Sequence, residues 1–99
     1  MKRKSYNIAE NICGDRTLRA VKVVDEFTVY GIRLFISANR RGSYWASEYS
    51  TGLRASGYFE SAAHAKADTR RNFLKIGREA SIKLVAKELK KHGRANKET

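Results

Sequence analysis

The chain changes its hydrophobic period near Ser61. Before this residue apolar and polar positions mostly alternate, as in strands with one buried face. After it the apolar positions recur every three or four residues, as on the buried side of a helix. The pattern predicts an α+β domain, in which an antiparallel meander of three to four strands is followed by two C-terminal helices packed on one face.

The strand predictions rest on short runs separated by turn residues. Residues 17–24 are rich in valine and predict one strand, which Asp25-Glu26 interrupts as a polar break. Residues 27–38 alternate most clearly, with Ile32, Leu34, Ile36 and Ala38 on one face and Arg33, Phe35 and Ser37 on the other. Further strands are predicted over 44–50 and 53–59. Because the turns between these runs are short, successive strands are expected to be antiparallel neighbours.

The first fourteen residues leave two alternatives open. Ser5 as an N-cap and Gly14 as a stop would frame a short helix over 5–13, with Ile8 and Ile12 on one side. The competing interpretation is a first strand in which Tyr6 and Ile8 point the same way. The number of strands depends on which alternative holds.

The second half predicts two helices. Ser61 is a suitable N-cap, and the alanines that follow it are strong helix formers. The stripe expected to lie on the sheet consists of Ala62, Lys66, Thr69, Phe73 and Ile76. Gly77 ends or bends this helix, and a second helix follows over 79–91. Its expected buried positions are Ile82, Val85, Ala86 and Leu89.

The length fits a single domain over residues 1–99, with a basic arm at 1–4 and a frayed polar tail at 93–99. Twenty-one Lys and Arg side chains face ten Asp and Glu, which gives a net charge of +11. Both halves of the chain are basic, so the folded surface itself must present positive charge. Such a surface favours an anionic partner, with nucleic acid or an acidic protein surface ahead of a membrane.

Three groups of side chains are candidates for contact with this partner. The first is an outward sheet face of arginines and rings: Arg33, Phe35, Arg54, Tyr58 and, depending on register, Tyr44 or Trp45. The second is the hairpin tip, Arg40 and Arg41. The third comprises two helical rows, Arg71, Lys75 and Arg78, then Lys83, Lys87, Lys90 or Lys91, and Arg94. Rings that stack on bases beside guanidinium groups that hold phosphates suit single-stranded nucleic acid. The competing interpretation of the first group is that Phe35 and Tyr58 only cover the sheet.

Motifs of catalysis and cofactor binding are missing from the sequence. The two histidines, His64 and His92, have no partners at zinc-ligand spacing, and the lone Cys13 has no neighbour that marks a nucleophile. We therefore expect a non-enzymatic protein without a metal or cofactor. A single cysteine and a start without an apolar signal segment favour the cytoplasm.

The stretch from Tyr44 to Leu74 resembles the last part of a double-stranded-RNA-binding domain. Its order of strand, turn, strand and alanine-rich helix is similar, and Ser61, Ala65 and Lys66 match the start of that family's helix. Alanines, Ala62 and Ala63, stand where the family has two phosphate-contacting lysines. The same order of elements also resembles small antitoxin domains.

Two functions follow from these features. The first is binding of RNA or DNA through the Arg/aromatic face and the basic hairpin and helices. The alternative is an inhibitor or adaptor of the kind that phages and plasmids encode, which docks on a large host protein or nucleoprotein machine. In that case Trp45 and Tyr49 would anchor the contact.

Overall fold

The computed structural model describes residues 4–12 and 14–97 of the chain. Its elements are β1 (Ser5–Ile12), β2 (Asp15–Val29), β3 (Ile32–Ala38), β4 (Tyr44–Glu48), α1 (Ala62–Ile76) and α2 (Arg78–His92). The strands form an antiparallel sheet in the order β1-β2-β3-β4, and both helices pack on one face of it. The predicted α+β meander with two C-terminal helices is confirmed.

The N-terminal segment is a strand, so the prediction of a short helix there is wrong and the alternative is right. β1 pairs with β2 from Ser5 opposite Lys22 to Ile12 opposite Asp15. A helix of two turns is marginal by itself, whereas a strand next to β2 gains a full ladder of hydrogen bonds. Pairing also buries Ile8, which is 6% exposed. Cys13 lies outside the described residues.

β2 is one long strand, so the predicted polar break at Asp25-Glu26 is wrong. Residues Asp15 to Lys22 pair with β1, and Val23 to Val29 pair with β3, with a shift of register between Val23 and Asp25. Such a bulge bends a strand and increases its twist. The real hairpin turn is Tyr30-Gly31, where φ is 54° and 77°. Turns with two positive φ angles match the twist of paired strands.

The bend gives the sheet a core on each face. On the helix side Ile32, Leu34 and Ile36 contact Ala46, Ala65 and Phe73 in two adjoining clusters. On the other side the β1–β2 hairpin folds over the sheet, and Ile8 and Val21 pack on Phe35, Trp45 and Tyr49. The predicted alternation of β3 is therefore confirmed. The second face, predicted to point outward with its arginines and rings, is instead covered at its centre, since Phe35 is 0% exposed.

Residues 53–59 do not form the predicted strand. Two isolated bridges, Ser47 to Arg54 and Tyr44 to Phe59, hold the segment beside β4. Between them the Ser56 hydroxyl, rather than a backbone carbonyl, accepts the hydrogen bond of the Ala46 N–H at 2.8 Å. This side-chain substitution interrupts the backbone ladder that a strand requires.

The helices begin as predicted. The Ser61 hydroxyl accepts the N–H of His64, and Gly77, at φ 91°, both ends α1 and precedes α2. The prediction that α1 buries Thr69 and Phe73 is confirmed, since these residues are 0% and 7% exposed. The same prediction is wrong for Ile76, which is 45% exposed, because the chain leaves the sheet at Gly77.

The second helix contacts the domain through a narrower stripe than predicted. Its fully buried residue is Ser81, and Val85 packs on the cluster around Phe73. Ile82, expected in the core, is instead 42% exposed. Ser81 and Val85 are four residues apart and therefore lie on the same side of α2, which is the side that faces the domain. Ile82 follows Ser81 directly and points away from that side.

The C-terminal tail is docked through Lys97 rather than frayed. The Asn96 side-chain oxygen accepts the Asn7 N–H at 2.7 Å, and its amide donates to the carbonyls of Asn7 at 2.9 Å and Tyr49 at 2.8 Å. The Tyr49 hydroxyl donates to the Lys97 carbonyl. Tail and β1 are therefore tied together. Residues 98–99, and 1–3 of the predicted basic arm, lie outside the described residues.

Candidate nucleic-acid interface

Arg33 is held inside a local network instead of standing on an open face. Its guanidinium lies 3.8 Å from the centre of the Tyr49 ring and donates to the Tyr6 hydroxyl at 3.0 Å. It also pairs with Glu26 at 3.3 Å, and Lys4 pairs with the other oxygen of the same carboxylate at 3.1 Å. Arg33 thus joins β3 to β1 and β2, and a carboxylate balances its charge.

The same network sets the protonation of Glu26. Burial raises the pKa of this carboxyl, but hydrogen bonds from Tyr6, Lys4 and Arg33 outweigh the effect and place the pKa below its ordinary value. Glu26 therefore stays ionised near neutral pH and keeps the two cations in place.

Two further predicted residues lie away from any shared surface. Phe35 is fully buried under the β1–β2 hairpin. Tyr44 packs on the helix side of the sheet, against the cluster of Ile36, Ala46 and Ala65. The predicted Arg/aromatic sheet face is consequently not formed, because the β1–β2 hairpin covers its centre.

A groove forms where β2 passes the turn between β3 and β4. We call it the tip groove; it has a volume of about 720 Å³. Its lining residues are Arg19, Ala20, Val21 and Lys22 on one side, Ala38, Asn39, Arg40 and Arg41 on the other, and Trp45 between them. Two hairpins that are distant in sequence therefore contribute two cations each.

The turn that carries Arg40 and Arg41 is shaped by Asn39. The Asn39 side-chain oxygen accepts the N–H of Arg41 at 2.9 Å and that of Ser43 at 3.0 Å. Gly42 takes φ 80°, which glycine adopts without strain. The turn therefore holds its two exposed arginines at the rim of the groove.

Three of the four cations around the tip groove have no carboxylate partner. Within residues 4–12 and 14–97, Lys22, Arg40 and Arg41 form no ion pair, while Arg19 pairs with Glu10. All four are exposed. Like charges around one groove repel one another, and an anion bound between them offsets this repulsion.

A second cavity continues from the tip groove and shares Arg19, Asn39 and Trp45 with it. We call it the Tyr58 pocket; it has a volume of about 670 Å³. Its other lining residues are Ile8, Ala9, Glu10, Ser47, Gly52, Leu53, Arg54 and Tyr58. The two cavities together form one concave surface with a cationic end and an aromatic end.

The rings of this pocket have different exposure. Trp45 is 5% exposed and forms the floor, whereas Tyr58 is 56% exposed. Their centres are 5.6 Å apart at an angle of 59°. The Arg54 guanidinium lies 4.8 Å from the centre of the Tyr58 ring. Tyr58 rather than Trp45 therefore offers a ring surface to a ligand.

Ser47 is the polar group of the pocket that lacks a partner. It is 1% exposed, and its hydroxyl oxygen is buried without any hydrogen bond. Most buried polar atoms in proteins are hydrogen-bonded, so this hydroxyl is an exception. Its oxygen exposes less than 1 Å² of surface and is therefore enclosed by protein rather than presented to the cavity.

Five of the predicted residues meet on this concave surface: Arg40, Arg41, Trp45, Arg54 and Tyr58. Arg19 and Lys22 also line it, and they were missing from the prediction. The available signal was two cations within an otherwise valine-rich strand. Only the fold shows that this strand passes beside the hairpin tip.

The helical cations lie on the other side of the molecule. Arg71 and Lys75 are exposed on α1, and Lys83, Lys87 and Lys91 form an exposed row on α2. Arg78 does not continue the α1 row, because Gly77 ends that helix and Arg78 starts the next. Both helices cover the sheet face opposite the β1–β2 hairpin, so they form a second basic surface.

Comparisons with protein-family models, with curated proteins and with solved structures find no match, so the resemblance to double-stranded-RNA-binding domains has no support from them. In the part of the chain that the structure describes, no three His, Cys, Asp or Glu side chains are grouped as metal ligands would be. Neither described helix has the length and apolar character that crossing a bilayer requires.

Proposed function

We propose that this protein binds nucleic acid without catalysing a reaction, and that the tip groove and the Tyr58 pocket form its principal contact. The observation that carries the proposal is the convergence of Arg19, Lys22, Arg40 and Arg41 around one groove. A cytoplasmic site of action fits this function.

The chemistry of the groove suits phosphate. Guanidinium groups offer paired N–H donors that match phosphate oxygens, and each contact of this kind releases condensed counterions from the nucleic acid. Cations at the rim of a concave surface also attract a polyanion over a longer range than single surface charges do. The groove concentrates these effects, whereas the helical cations are spread along two elements.

The test removes two charges from each surface in turn. The variants are Arg40→Ala with Arg41→Ala and, as a control of equal charge, Lys83→Ala with Lys87→Ala. Fluorescence anisotropy of a labelled oligonucleotide over a range of salt gives the slope of log K against log salt for each protein. Each phosphate contact contributes about 0.7 to 0.9 to this slope. We expect the groove variant to lose about one to two units and the helix variant to retain most of its slope.

Equal losses in the two variants would show that net charge alone drives binding. Failure of the unmodified protein to bind at low salt, where a protein of charge +11 binds polyanions most readily, would contradict the proposal altogether.

A second function is favoured by the helical surface, namely docking on a protein as an inhibitor or adaptor. Leu74 is 70% exposed and Leu84 is 45% exposed, next to the helical cations. Exposed apolar side chains rimmed by charge are typical of protein interfaces. Accessory proteins of phages and plasmids would use such a surface against a host machine. Pull-down with and without nuclease distinguishes the two: one stoichiometric protein retained after nuclease, and lost with Leu74→Ser, favours docking.

A further inference from the structure

We propose that the concave surface recognises single-stranded nucleic acid by holding one nucleotide in two parts, with its phosphate in the tip groove and its base in the Tyr58 pocket. This inference rests on the proposed function and specifies the form of nucleic acid. It follows from the division of the surface into two joined cavities of different chemistry.

The first step is the match between the two cavities and the two parts of a nucleotide. The tip groove carries Lys22, Arg40 and Arg41 without carboxylate partners among the described residues. The Tyr58 pocket is lined by the exposed Tyr58 ring and by polar side chains, including Asn39 and Arg54. Since the cavities share Arg19, Asn39 and Trp45, one ligand can occupy both.

The second step excludes an intact duplex as the favoured ligand. In a duplex the bases are stacked and paired, so a concave pocket reaches them only if one base is flipped out, which costs a few kcal/mol. Proteins read duplexes with a helix or a strand pair that projects into a groove. The Tyr58 pocket is a recess beside the hairpin tip, and an unpaired base enters it at no such cost.

The third step concerns stacking on Tyr58. Its ring is 56% exposed, and the side chain over it belongs to the exposed Arg54 rather than to the core. A long flexible side chain of this kind can move aside, let a base take its place on the ring and then contact phosphate. Trp45 supports the ring from the core side at 5.6 Å. A ring fixed in this way gives a base a preorganised stacking surface.

The experiment compares a labelled single-stranded DNA of about twelve nucleotides with an abasic strand of the same length. The two probes carry the same phosphates, so only the bases differ. Affinities at low salt are measured for the unmodified protein, for Tyr58→Ala and for the matched control Tyr58→Phe, which keeps the ring. Thermal melting verifies that both variants fold.

We expect the unmodified protein to bind the strand with bases more tightly than the abasic strand. Tyr58→Ala should weaken binding of the normal strand by about 5- to 160-fold, as the loss of one base–ring stack does. Tyr58→Phe should retain binding. Neither variant should affect the abasic strand or a blunt duplex of the same sequence.

Equal affinity for normal and abasic strands would overturn the inference and leave the phosphate-binding function standing. A Tyr58→Ala effect of the same size on the abasic strand or on the duplex would also overturn it. Absence of binding to every probe would instead refute the proposed function itself.

Discussion

Gly52 lies where β1 crosses the loop after β4, and its replacement by alanine tests the close approach of these segments. The Gly52 carbonyl accepts the Ala9 N–H at 2.9 Å. A Cβ on Gly52 would lie 2.8 Å from the Ala9 nitrogen, 3.0 Å from the Ala95 Cβ and 3.1 Å from the Asn7 carbonyl oxygen. Two of these atoms belong to backbone, so β1 itself would have to move.

The expected loss of stability has two parts. Gly52 has φ 73°, and an alanine in this conformation costs about 1–2 kcal/mol. Displacement of β1 also breaks the Ala9–Gly52 hydrogen bond, and an unpaired buried N–H costs about 1–3 kcal/mol. We therefore expect Gly52→Ala to lower the free energy of unfolding by about 2–5 kcal/mol.

Gly31→Ala is the matched control. Gly31 has a similar φ of 77°, yet apart from its chain neighbours no described atom lies within 4 Å of a Cβ placed there. We therefore expect Gly31→Ala to lower the free energy of unfolding by about 1–2 kcal/mol, the cost of placing an alanine at positive φ. Urea unfolding followed by the fluorescence of Trp45, the single tryptophan, measures both variants. Equal losses for Gly52→Ala and Gly31→Ala would refute the close packing of β1 on this loop.

Two further predictions concern the helix–sheet contact. Phe73→Ala should lower the free energy of unfolding by about 3–5 kcal/mol, because Phe73 is 7% exposed and fills the cluster with Ile32 and Leu34; an unchanged melting temperature would contradict this. Lys66 on α1 donates a hydrogen bond to Asp25 on β2 and so holds the pKa of Asp25 below its ordinary value of 3.8. This stabilisation is fully present above pH 3.8 and is lost as the pH falls through the lowered pKa. Asp25→Asn should therefore be less stable than the unmodified protein at pH 7, and the difference should shrink as the pH falls below 3.8. A stability difference that urea titrations find unchanged as the pH falls below 3.8 would contradict the ion pair.

The sequence predicted the structure best where a feature depends only on residues that are close together in the chain. Ser61 caps α1 and Gly77 ends it because both act on the backbone next to them. The alternation of residues 32–38 gave the two faces of β3 correctly, since side chains of a strand alternate whatever it pairs with. Net charge likewise follows from composition alone, so an anionic partner could be proposed before any fold was known.

Other features were missed because they depend on contacts between distant segments. The N-terminal residues are a strand because β2 is there to pair with them, and residues 53–59 lose their ladder because Ser56 replaces a backbone acceptor. The tail is held by Asn96, whose partners lie on β1 and after β4. None of these partners can be read from the local pattern.

The candidate site divides in the same way. Residue type marked Arg40, Arg41, Arg54 and Tyr58 as candidates, and the hairpin turn placed the first two at a tip. Arg19 and Lys22 lie beside Arg40 and Arg41 only because β2 bends at Val23 and Asp25. The same bend places the β1–β2 hairpin over Phe35. Composition and local periodicity thus determine the net charge, the ends of α1 and the two faces of β3, because these depend on near neighbours. The tertiary structure decides which cations share a groove, because a bulge in one strand changes the direction of everything paired to it.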